Sequence, residues 1–128
     1  MVDGAVGEDS TCSNLRTFLT KLEEMRKSDD MVIIALNNEL PTKSFPGCEK
    51  SKAVCEDFLN RAKILKDSRQ NLLDKCRLLN EKLVEVSTDM EKKSATVLIR
   101  QIKSQQEIEE VVWMRTRKAI TERCSHFI

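Results

Sequence analysis

Tyrosine is absent from this chain of 128 residues, and one tryptophan and four phenylalanines are its only aromatics. Glycine occurs three times and proline twice. An all-β fold would want aromatics, β-branched residues and many turns, so these scarcities exclude it and favour long helices. No apolar run approaches the roughly 20 residues that would span a bilayer. Charge of one sign is missing too: Lys and Arg interleave with Asp and Glu to a net charge of +1, which leaves no basic footprint for nucleic acid. The start, MVDGAVGEDST, lacks the layout of a secretory signal and the arginines of a mitochondrial presequence. A soluble chain is expected, reaching any compartment beyond the cytosol without a cleaved leader.

What the chain does have is an uninterrupted amphipathic stretch from Val54 to Met90. One seven-residue row holds Phe58, Leu65, Leu72, Leu79 and Val86. A second holds Cys55, Ala62, Arg69, Cys76, Leu83 and Met90. Rows three and four apart adjoin on a helix and make one apolar stripe. Cys55 and Cys76 both sit on it, roughly 30 Å apart at ~1.5 Å per residue, so within a straight helix they cannot bond to each other.

In chain order, residues 1 to about 11 read as a disordered N-terminus, with Ser10 or Thr11 as helix cap. The remainder, 12–128, reads as a single helical domain. A first helix is expected over about 12–40, carried by Cys12, Leu15, Phe18, Leu19, Leu22, Met25, Val32, Ile33, Leu36 and Leu40. Asp29 breaks its apolar row and would need a partner or a bend. Pro41 ends this helix, and PTKSFPG forms the loop, where Phe45 would cover the bundle end. The second helix is expected over about 50–87. Thr88 with Glu91 has capping-box spacing, which places a turn near 87–92. A third helix over about 93–123 would use Leu98, Ile99, Ile102, Ile108, Val112, Trp113, Ile120 and Phe127. Its pattern weakens between Lys103 and Glu110, and Ser104 with Glu107 offers the start of a short fourth helix. The fold class expected is all-α: an antiparallel three-helix or four-helix hairpin bundle of long, coiled-coil-like helices.

Five cysteines, Cys12, Cys48, Cys55, Cys76 and Cys124, fit either small buried hydrophobes in a reducing compartment or a disulfide framework. Antiparallel helices joined by a tight turn place residues equidistant from that turn opposite one another. About the first turn, between Leu40 and Glu49, Cys12 faces Cys76. About the second, near Asp89 or Met90, Cys55 faces Cys124. The other two connectivities of these four would join opposite ends of a hairpin, beyond the ~7 Å that bonded Cα atoms allow. The expected bridges are therefore Cys12–Cys76 and Cys55–Cys124. Cys48 is left as an unpaired thiol that could compete for Cys124.

Other chemistry is poorly supported. No C-x2-C pair accompanies the single histidine, His126, so zinc is not expected. Cys124 and His126 lack the third group a nucleophile–base pair would need. Glu109-Glu110 reads as a solvated face, Asp29-Asp30 as a feature of helix register, and Trp113 as a core or interface anchor. A non-enzyme with no catalytic residue, cofactor or metal is expected.

Particular residues then resemble a family. Met25-Arg26, Asp29-Asp30, Leu36-Asn37, Pro41-Thr42 and Ser44-Phe45 match in the first helix and loop. Cys55 and Cys76, with Ser68-Arg69 between them, resemble its central cysteine pair, and Cys12 corresponds to its N-terminal cysteine. Glu109-Glu110-Val111-Val112, Glu122-Arg123-Cys124 and His126-Phe127 are similar to its C-terminal segment. The family is that of coiled-coil domain-containing protein 58, a small import factor of the mitochondrial intermembrane space. Two features depart from it: Cys48 has no counterpart, and the stretch from Cys76 to Cys124 is shorter than in vertebrate members.

The resemblance implies a helical protein oxidised in the intermembrane space by the mitochondrial disulfide relay, its partner oxidoreductase during import. It also implies support for import of presequence proteins, with the inner-membrane presequence translocase as a further partner. The alternative is a cytosolic coiled-coil subunit of a larger assembly, its cysteines reduced. A third reading, a thiol oxidoreductase using Cys124, requires an exposed thiol of low pKa. Heptad helices of this length can also leave a seam for a second copy, making a homo-oligomer.

Overall fold

The computed structural model describes residues 11–39 and 48–125, without the side chains of 48–50. Among the described residues there are three long helices: α1 (Leu15–Glu39), α2 (Cys48–Val86) and α3 (Asp89–Cys124). The expected disordered start, the PTKSFPG loop, the Pro41 stop, Phe45, His126 and Phe127 lie outside the described residues. So does the side chain of Cys48, whose backbone opens α2.

The helix of residues 15–39 starts later than its apolar rows suggest. Residues 11–13 form a separate helical turn, Asn14 breaks it, and α1 begins behind that break. Asn14 does the capping expected of Ser10 or Thr11. Its Oδ1 accepts the Thr17 N–H at 3.0 Å, and its carbonyl accepts the Phe18 N–H at 2.9 Å. At the second turn only Ser87 and Thr88 separate α2 from α3. Thr88 is the N-cap with extended backbone, but its side chain makes no capping hydrogen bond, so the capping box is not formed. Asp89 and Glu91 in the first turn and Arg123 in the last suit the helix dipole.

α2 and α3 lie antiparallel along most of their length, and α1 packs against both. The buried face of α1 is Phe18, Leu22, Asp29 and Leu36. That of α3 is Ala95, Leu98, Ile102, Glu109, Thr116, Ile120 and Cys124. No second helix start occurs at Ser104: α3 runs through it unbroken, which corrects the short helix expected from there. The weak apolar period from Lys103 to Glu110 marks instead a level where polar side chains turn inward.

The two heptad rows hold only in part. Cys55, Phe58, Ala62, Arg69 and Cys76 are buried, but further along the buried positions are Leu73 and Asn80, with Leu72 and Leu79 half-buried. Val86 and Met90 are 75% and 82% exposed. A straight helix drifts about 20° per heptad against a seven-residue repeat, so after three or four heptads the inward position moves one residue along. α2 therefore behaves as a bundle helix of ordinary pitch.

The apolar core is split in two. One cluster gathers Leu36, Cys55, Phe58, Ala62, Ile120 and Cys124, with Trp113 against it. The other gathers Cys12, Phe18, Leu22, Leu73, Cys76 and Ile102.

Candidate functional site

Each apolar cluster contains one disulfide. Cys12 is bridged to Cys76 with 4.7 Å between Cα atoms, and Cys55 to Cys124 with 6.0 Å. The second pair lies across the two-residue turn between α2 and α3. All four residues are at most 2% exposed. Cys124, bridged and fully buried, presents neither the exposed thiol an oxidoreductase would use nor a thiolate for a metal.

Between the clusters lies a layer of buried charge. Arg69 from α2, with no exposed surface, donates from Nη1 and Nη2 to the two carboxylate oxygens of Asp29 on α1, at 2.5 and 3.2 Å. Its Nε donates to Glu109 Oε2 on α3 at 2.7 Å. Thr116 Oγ1 donates to Asp29 Oδ2 at 2.7 Å. Arg26 closes the layer from α1, with Nε on Glu109 Oε1 at 3.3 Å, Nη1 on Gln105 Oε1 at 2.6 Å and Nη2 on the Gln105 carbonyl at 3.1 Å. Beside it Gln70 and Gln106 exchange reciprocal amide hydrogen bonds of 2.7 and 2.8 Å.

Two guanidinium groups and two carboxylates make the layer neutral. Burial alone pushes the Arg69 pKa down, but its hydrogen bonds to Asp29 and Glu109 and their charges outweigh that and raise it. Burial dominates for Arg26, whose pKa falls despite Glu109. Asp29 thus has the partner its place in an apolar row demanded. Glu109 corrects the expectation of a solvated face: it is 1% exposed, while Glu110 beside it is exposed. Asp30 likewise points outward, 3.1 Å from Arg115 on the surface.

The arrangement suits holding and selecting one packing of three helices, because a shift of any helix would strand a buried charge. Among the described residues no group of three His, Cys, Asp or Glu is placed to hold a metal ion. No described helix is long and apolar enough to cross a membrane. No family model matches the chain, and no solved structure matches it. The fold and site define an all-α bundle with two disulfide staples.

Proposed function

We propose that the chain is a non-enzymatic accessory factor of the mitochondrial intermembrane space that supports import of presequence proteins. The observation that carries this reading is the pair of disulfides. Bridges persist in oxidising compartments and are rare in the cytosol, and both join positions far apart in the chain. The resemblance of the cysteine framework to the coiled-coil domain-containing protein 58 family supports the intermembrane space as that compartment. The mitochondrial disulfide relay is the partner during import, and the inner-membrane presequence translocase a partner afterwards.

Such a factor works by contact rather than turnover. Exposed apolar side chains where α1 and α2 adjoin (Met31 and Ile64) are the surface through which it would meet a partner.

The test is import of the full chain into isolated mitochondria, with protease added before and after outer-membrane rupture and free thiols blocked before bridge mapping. Chain that is protected in intact mitochondria, becomes accessible on rupture and carries both bridges supports the reading. A chain that stays outside with its thiols free overturns it, and the cytosolic subunit takes its place.

A further inference from the structure

Of the four bridged cysteines, Cys12 alone is carried by none of the three long helices. It sits on the turn of residues 11–13, ahead of the break at Asn14. Cys55 and Cys124 stand on α2 and α3, whose common turn and antiparallel register already set them opposite. For Cys12 and Cys76 the register of the first two helices is not sufficient, because the break at Asn14 separates the 11–13 turn from the helix that sets it.

Asn80 does. It is 1% exposed, and its Nδ2 donates to the Cys12 carbonyl at 2.9 Å and to the Cys76 carbonyl at 2.8 Å. A single amide therefore holds the main chain of both bridge partners. The same side chain carries a penalty: its Oδ1 is buried with no hydrogen-bond partner among the described residues. A leucine would fill similar space without stranding an acceptor. Half-satisfied buried amides are best attested where one register must be chosen over others.

We propose that Asn80 is the positioning residue for formation of the Cys12–Cys76 bridge, docking the 11–13 turn on α2 before the sulfurs react. With oxidised glutathione as oxidant, one cysteine thiolate attacks a glutathione sulfur and expels one glutathione thiolate. The second cysteine thiolate then attacks the protein sulfur of that mixed disulfide and expels the other. Two protein thiols give up two protons and two electrons, and one glutathione disulfide becomes two glutathione thiols. Asn80 exchanges no electrons. It raises the fraction of time in which Cys12 and Cys76 lie within reach, in whatever compartment the reaction runs.

The experiment equilibrates the full chain, and its Asn80→Leu and Asn80→Asp variants, in glutathione redox buffers. Acid quenching, thiol alkylation and peptide mapping then give the effective concentration of each bridge separately. The expected result for Asn80→Leu is an about tenfold fall for Cys12–Cys76, the size of losing one or two net hydrogen bonds. Asn80→Asp falls further, because a carboxylate then faces two carbonyl oxygens. Cys55–Cys124, at the other end of the bundle, stays within about twofold in both variants. An unchanged Cys12–Cys76 value overturns the proposal. So does a fall shared equally by both bridges, which would mark Asn80 as a general support of the fold.

Discussion

Arg69 and Asp29 meet across the α1–α2 interface as a two-pronged ion pair, with neither side chain exposed to solvent. Glu109 and Thr116 satisfy what that pair leaves over, so all three helices contribute to one neutral layer between two apolar clusters.

Removing Arg69 alone leaves the buried Asp29 without its cation and Glu109 with Arg26 only. Arg69→Met should lower stability by about 3–5 kcal/mol in urea denaturation with both bridges intact. The combined Arg69→Met, Asp29→Leu, Glu109→Leu variant should be more stable than that single variant, despite carrying three changes. A triple variant less stable than Arg69→Met would show that the layer is a net source of stability.

Neighbouring aspartates should behave differently. Asp29→Asn removes a buried charge from its bidentate partner and should cost about 3 kcal/mol. Asp30→Asn disturbs a surface pair with Arg115, both more than half exposed, and should cost about 0–1 kcal/mol. Thermal melts of the two variants side by side give the comparison.

Along α2, the inward face should report itself by truncation. Leu73→Ala should cost about 2–5 kcal/mol and Leu72→Ala distinctly less, since Leu73 is 1% exposed and Leu72 half-buried. Val86→Lys should fall within about 0.5 kcal/mol of the parent. The reverse order would restore the strict heptad seam. Denaturant midpoints at constant slope decide it.

The two bridges span 64 and 69 residues. In the chain-entropy picture each contributes about 4 kcal/mol, so Cys12→Ser/Cys76→Ser and Cys55→Ser/Cys124→Ser should lower stability by similar amounts. Calorimetry of the two double variants measures this directly.

Much of this was legible in the sequence, and the parts that were not have physical causes. Proline, the 87–92 turn signal and the apolar rows sufficed to set three helices antiparallel and to bring the cysteine pairs opposite each other. Arg69 and Asp29 were each visible as a charge inside an apolar row. Glu109 was missed because it adjoins Glu110 and reads as part of an exposed charged run. The signal was present, however: Arg69 and Glu109 are equidistant from the second turn, just as Cys55 and Cys124 are. The polar stretch from Lys103 onward looked like a helix boundary because an apolar period cannot register a buried layer of glutamine and glutamate. Asn14 and Asn80 escaped notice since a lone asparagine in a helical pattern has no periodicity of its own. Capping spacing at Thr88 located the helix start without the side-chain bond that gives the motif its name.

The two bridges also interleave along the chain, 12 to 76 overlapping 55 to 124. Any single peptide-bond cleavage between Cys12 and Cys124 therefore falls inside at least one covalent loop. A protease that nicks the chain once in that span cannot release a fragment from the oxidised protein. That one cleavage would become visible only after a reductant opened the staples, so a singly nicked chain stays in one covalent piece for as long as its surroundings keep it oxidised.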